Sequence, residues 1–397
     1  MKHPRFGRLA AADWLTADRA RVYAGILAAV QGLFLAVLAV LFIRHTGKPV
    51  AVDFDAFWAA SHLAAGGHAA SAYDNTVIEA TERAATEMAP GYLAFYYPPP
   101  YLLLILPLGL LGYVPALVVF LASESLLLLA ALRRLLPQRW AWLPLLTWPG
   151  LLMNGLSGQN AALSTACFAA AAIWLEKRPV VAGMCLGGLV CKPQLAVCVP
   201  VALLAARRWR ALIACGLTAA CLLALSWLVL GPATWHGFLA NAPKARADIE
   251  TIAIKWPKMQ SVFGEIRLAG GGNALAYAMQ AVMSAACMGG LAWVAWRRPG
   301  ARLEASALAA AALLFTPFLY DYDLLLLAVP MACMAALGVG TGWRPWEKCL
   351  LAALYILPLF ARAFGLLAGV IIGPPLVAAM LLLVVLRTRP ASGVTAG

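Results

Sequence analysis

The chain has 397 residues, 63% of them hydrophobic and 12% charged, with a mean hydropathy of +0.82. These values exclude a soluble globular protein and read as a polytopic integral membrane protein. The formal net charge is +13, but the basic residues fall in short clusters between apolar runs, which argues for topology signals and against a nucleic-acid partner.

In chain order, Lys2, Arg5, Arg8, Arg19 and Arg21 precede a first apolar run from Val22 to Ile43. This places the N-terminus in the cytoplasm, and no small-residue cleavage site follows the charged stretch, so no cleavable signal peptide is expected. Ala211 to Leu230, Ala274 to Trp296 and Leu366 to Leu386 likewise have the length that a bilayer requires. The expectation is an all-α bundle of about eleven to thirteen membrane segments, a single domain over residues 1–397. Glu176-Lys177-Arg178, Arg207 to Arg210, Arg297-Arg298, Arg344 to Lys348 and Arg387 to Arg389 are assigned to the cytoplasm. A first outer loop (residues 44–97) and a second (residues 231–273) fall on the far side. Pro107 and Pro115 either divide residues 98–132 into two short spans or kink one long one, and the basic residues at 133–139 favour a single crossing. Residues 140–206 form short pieces interrupted by polar residues, as expected where helices line a cavity.

The first outer loop opens with Val52-Asp53-Phe54-Asp55-Ala56-Phe57-Trp58, two carboxylates in a chain poor in them. Asp53 precedes an expected helix from Phe54 to Ala65, closed by Gly66-Gly67, so it is either a plain N-cap or a catalytic group presented at the interface. Phe54, Phe57, Trp58 and Leu63 would let this amphipathic helix lie on the membrane surface. Asp55 and His62 share a helix face, either as a proton relay or as a solvated surface. Tyr96 and Tyr97, before Pro98-Pro99-Pro100, suit an interfacial belt. Gln159 and Asn160 form a polar break able to bind hydroxyls or simply to turn the chain. Lys192, followed by Gln194, is an expensive boundary lysine whose partner would be an anion such as a lipid phosphate, or else a snorkelling anchor. Tyr320-Asp321-Tyr322-Asp323 ends a segment on the predicted outer side, and Arg362 stands alone between apolar runs as a second phosphate contact or an interface anchor. Nine cysteines within apolar segments imply no disulfide framework, and five histidines show no metal-ligand spacing.

Taken together, Asp53-Phe-x-x-Phe-Trp58, Ala72-Tyr73-Asp74, Phe95-Tyr-Tyr-Pro-Pro-Pro100, Gly158-Gln159-Asn160, Lys192-Pro193-Gln194, Gln260-Ser-Val-Phe-Gly264 and Tyr320-Asp-Tyr-Asp-Leu324 resemble glycosyltransferase family 87. The resemblance implies a GT-C type fold with its active site on the first outer loop and short helices there. It further implies a polyprenyl-phosphate sugar donor, typically mannose, and a lipid or glycan acceptor, at the periplasmic or extracellular face of the cell membrane. No cofactor is implied, and no divalent ion is obligatory because no nucleotide diphosphate takes part. Asp53 matches the family's aspartate and would be the base, with Asp55 in reserve. Lys192, with Arg362 behind it, would stabilise the leaving phosphate. Gln159, Asn160, Tyr96 and Tyr97 would orient sugar and phosphate, and Gln194, Gln260, Asp321 and Asp323 complete the candidate substrate site. Some family members carry a histidine before the Tyr-Asp pair; this chain has Phe318-Leu319 there, so no histidine-dependent role carries over, and Asp321 is a candidate substitute. A solute transporter or a lipid-linked sugar flippase are the competing readings.

Overall fold

A computed structural model of the chain describes residues 10–45, 47–50, 52–87 and 93–388, with the backbone alone at residues 253 and 254. Lys2, Arg5, Arg8 and Arg389, read above as topology signals, lie outside these residues. The described residues form helices joined by short turns, and the only β pairing among them consists of isolated bridges. Hydrocarbon offers no partner to backbone N–H and C=O groups, so an apolar chain satisfies them within helices.

Helix α1 (Ala17–Arg44) is capped by Thr16, whose hydroxyl accepts from the Arg19 amide, and of its side chains only Ala24 is buried. It stands at the bundle edge with its apolar surface bare, tied by Gln31 Nε2, which donates to Thr147 O at 2.9 Å. Five further segments are long and apolar enough to cross a membrane: α5 (Tyr113–Leu135), α12 (Trp209–Leu230), α15 (Asn273–Arg297), residues Asp321–Thr341 ending in α17 (Ala328–Thr341), and α18 (Glu347–Leu367). Shorter apolar helices lie between them, including α4 (Pro99–Ile105), α8 (Ala161–Trp174), α9 (Pro179–Gly187), α11 (Cys198–Ala205) and α19 (Gly373–Arg387). At the centre runs α16 (Ala301–Phe315), buried at every position from Leu303 to Leu314. Its alanines let α8, α15, α17 and α19 approach closely, as small residues do where no hydrophobic effect drives helices together.

Two expectations are corrected here. Residues 98–132 are neither two short spans nor one kinked helix: the short α4 and a 3₁₀ turn (Leu106–Leu110) end before Gly112, and the full-length α5 follows. Residues 231–273, expected as a second outer loop, are largely helical, because α13 (Pro232–Thr251) and α14 (Val262–Leu268) occupy most of them. Finally α2 (Phe54–Ala65) does not lie on a membrane surface. Phe54, Phe57 and Trp58 are buried among Tyr97, Tyr101, Tyr113 and Phe120, with Phe54–Phe120 and Phe57–Tyr97 ring centroids each 5.1 Å apart. Gly109 makes this possible: a Cβ there would sit 2.2 Å from the Ser61 carbonyl oxygen of α2.

Candidate functional site

Asp53 stands at the N-cap of α2 with helical φ and ψ, and its carboxylate caps nothing. The bland reading of this residue as a capping aspartate is therefore corrected. Its amide donates to Ser157 O at 3.0 Å, and its Oδ2 accepts from Gln159 Nε2 at 3.0 Å. The chain can come this close because α7 (Pro149–Ser157) ends at Gly158 in the left-handed region, φ 66°, where a Cβ would meet Phe54 and Val52 at 2.9 Å.

From Asp53 a continuous polar chain runs through the candidate residues. Gln159 Oε1 accepts from the Tyr97 hydroxyl at 3.2 Å, and Asn160 Oδ1 lies 3.3 Å from the same hydroxyl. Asn160 Oδ1 also accepts from Lys192 Nζ at 3.1 Å, and Lys192 Nζ donates to Asp323 Oδ1 at 2.5 Å. Asp323 Oδ2 in turn accepts the Tyr320 amide at 3.3 Å. Two residues from Asp323, Asp321 receives both Nε and Nη2 of Arg362, at 2.6 and 3.1 Å. Six segments distant in sequence thus meet at one end of the bundle.

Lys192 is neither a snorkelling anchor nor a free cation. It is buried, ion-paired with Asp323, with its ammonium 5.5 Å from the Tyr322 ring centroid. Arg362 is no lone interface anchor either, since the Asp321 pair is bidentate and geometrically specific. Asp55 and His62 form no relay, and of the two only His62 is exposed. Asp55 is 1% exposed and accepts from the Tyr113 hydroxyl, the Thr86 hydroxyl and the Val52 amide, while His62 stacks on Trp58 and pairs its Nδ1 with Gly109 O. Tyr96 leaves the network and donates to Asp248 at 3.0 Å. Gln194 lies on the one-turn α10 (Pro193–Ala196) and makes no side-chain hydrogen bond among the described residues. Gln260 is brought beside the Asp321 segment, its amide donating to Leu319 O at 2.8 Å next to the Met259–Tyr320 bridge. Its buried side-chain amide has no partner among the described residues.

Burial raises the Asp53 carboxyl above its ordinary range, and this exceeds the opposing effect of the Gln159 hydrogen bond. Lys258 and Arg362 also pull it down while Asp321 pushes it up. Asp55 is likewise raised, by burial before all else. Of the two, Asp53 alone keeps partial access to the surroundings.

Two residues escaped the sequence reading. Lys258 ends a 3₁₀ turn (Ala253–Lys258) held against α18, where Pro257 packs on Gly365, three residues from Arg362. Its exposed ammonium has no hydrogen bond or ion pair among the described residues. Its place two residues before Gln260 was the available signal. Glu124 lies buried in the middle of α5 and accepts from Asn154 Nδ2 at 2.7 Å and the Leu163 amide at 3.4 Å. An acid within a membrane segment was a sufficient cue.

The geometry gathers a carboxylate able to take a proton, amides and a phenol able to orient hydroxyls, and cations within the same end of a membrane bundle. No curated protein and no solved structure matches the chain at a significant level. The model of glycosyltransferase family 87 does match, over residues 95–319, which is more than half of the chain. That stretch holds Tyr97, Gln159, Asn160, Lys192, Lys258 and Gln260, and with this architecture around them the chain belongs to glycosyltransferase family 87.

Proposed function

We propose that this membrane glycosyltransferase moves mannose from a polyprenyl-phosphate carrier to a hydroxyl of a lipid or glycan acceptor, on the non-cytoplasmic face and with inversion at the anomeric carbon. Asp53 acts as the base. The acceptor oxygen forms the new bond to the anomeric carbon as the bond from that carbon to the phosphate oxygen breaks. The hydroxyl proton passes to Asp53, and the polyprenyl phosphate leaves as a monoester, an anion that needs no acid.

The observation that carries this reading is the state of the Asp53 carboxylate. It is uncapped, partly accessible, tethered on one oxygen by Gln159, and raised by burial toward the range in which a base works at neutral pH. Asp55 lacks that access, so the reserve role is not needed. Tyr97, Gln159 and Asn160 line the approach to it and orient the sugar. Lys192 and Asp323 hold that scaffold in register. Lys258 is the better-suited contact for the departing phosphate, because Lys192 and Arg362 already answer carboxylates.

The test offers membranes containing the protein a labelled polyprenyl-phosphate mannose, a polyprenyl-phosphate glucose and a nucleotide-linked mannose. Transfer from the first alone is expected. Transfer from the nucleotide sugar without lipid carrier would overturn the donor class.

A further inference from the structure

At the other end of the bundle a cavity of about 750 Å³ is lined by Arg134, Lys177, Arg178 and Arg302, with Glu176 and Trp174 among its walls. The helices themselves establish its distance from Asp53. α5 begins at Tyr113 beside Asp55 and reaches the cavity at Arg134; α8 begins next to Asn160 and reaches it at Trp174. α16 runs back from Phe315 to Ala301 at the cavity. At 1.5 Å per residue these paths are roughly 20–30 Å long.

The charges of this cavity do not balance. Glu176 accepts the Ala301 amide at 2.9 Å and lies 3.9 Å from Arg208, whose guanidinium is already bidentate on the buried Glu304. The four cations of the lining are exposed, and none makes a hydrogen bond or ion pair to a carboxylate among the described residues. Among the described residues Arg134 is steadied only by the Trp174 ring, 5.6 Å away. A topological preference for basic residues accounts for charge near a membrane surface, but not for four such side chains around one cavity. Like charges facing a common space repel, and an anion within it relieves that repulsion. Guanidinium groups favour phosphate oxygens through paired hydrogen bonds. Leu135, Ile173 and Leu337 in the same wall suit a ligand with an apolar portion beside its charge.

We infer that this vestibule binds the phosphate headgroup of an anionic membrane lipid. The cavity lies within the usual size of a ligand site, and basic pockets between membrane helices are suited to such headgroups.

The experiment measures retention of labelled phosphatidylglycerol, phosphatidylcholine and inorganic phosphate by the purified, delipidated full chain. The fourfold variant R134Q/K177Q/R178Q/R302Q is expected to bind phosphatidylglycerol about tenfold or more weakly, from the loss of four attractive charges. The R207Q/R210Q control, whose exposed arginines lie outside the lining, should bind as the parent does. Should the fourfold variant fail to fold, R134Q/R302Q and K177Q/R178Q are read instead, and each should weaken binding. Unchanged phosphatidylglycerol binding in the substituted chains, or an equal loss in the control, overturns the site. Full displacement of the lipid by millimolar inorganic phosphate overturns the lipid as the source of the anion.

Discussion

The two ends of the bundle treat charge in opposite ways. At the Asp53 end the buried or half-buried cations Lys192 and Arg362 are matched to Asp323 and Asp321, while the Asp53 carboxylate and the Lys258 ammonium stand in no ion pair among the described residues. At the other end the buried carboxylates Glu304 and Glu347 are matched to Arg208 and Arg387, and four cations around one cavity are left over. Matched pairs inside a low-dielectric bundle fix geometry, since breaking one strands the other's charge. Unmatched groups are where a ligand finds a reason to bind. Matching therefore separates scaffold from chemistry better than residue type does, because both ends contain the same kinds of side chain.

The largest effect expected from this contrast lies in the two neighbouring aspartates. Asp53→Asn should lower transfer by about 10²–10⁴-fold, the range of a lost general base, with the unfolding temperature nearly unchanged. Asp55→Asn should do the reverse: it disturbs acceptors for Tyr113, Thr86 and Val52, costing about 1–3 kcal/mol of stability with transfer per folded molecule largely kept. Parallel transfer assays and thermal unfolding in membranes check both, and an exchange of the two phenotypes would break the comparison.

Next comes the buried pair. Lys192→Met should destabilise by about 3–5 kcal/mol because Asp323 is left charged and alone, while Lys192→Met with Asp323→Leu should recover most of that loss. A double variant that regains stability and also transfers sugar assigns Lys192 to the scaffold. One that regains stability but stays inactive returns it to the phosphate.

Lys258→Gln removes the uncommitted cation and should raise the donor KM about tenfold with little change in kcat or unfolding temperature. Donor titrations decide this, and a KM equal to the parent's would remove Lys258 from the site.

The smallest effects are in pH. With Asp53 proposed as the base, the transfer rate should fall as pH drops through a pKa above the ordinary carboxylate value of about 3.9, and Asp53→Glu should move that limb. Glu82, buried and accepting the Leu93 amide, is pushed up to about 8. Its folded pKa lies above the unfolded one, so its favourable contribution is present below the unfolded value near about 4.3 and is lost as pH rises through 8. Glu82→Gln should flatten the fall in unfolding temperature over that window, and an identical slope in parent and variant would rule the group out.

Much of this molecule was legible in its sequence because membrane helices announce themselves locally. Runs such as Val22 to Ile43 carry their own evidence, and the order of polar motifs pointed to the family. Partners did not show. Asp53 and Gln159 are 106 residues apart, Lys192 and Asp323 are 131 apart, and Arg362 and Asp321 are 41 apart. No local periodicity encodes such pairings, so Lys192 read as a lipid-phosphate contact or a snorkelling anchor, and Arg362 as a second phosphate contact or an interface anchor. The burial of α2 was hidden for a different reason. Phe54, Phe57 and Trp58 would suit a lipid surface or a protein interior equally, and the deciding feature is a glycine about fifty residues away, Gly109, against which the helix packs. Asp53 looked like a cap because its position is one; only the side chain's direction, toward Gln159, separates the two roles.

The central claim is that Asp53 serves the chemical step and not donor binding. It is tested most directly by measuring, on the same purified Asp53→Asn protein, equilibrium retention of labelled polyprenyl-phosphate mannose and its transfer to acceptor. Donor retention like the parent's, with transfer reduced at least about a hundredfold, is the result expected of a lost base. Transfer at the parent's rate would contradict the account.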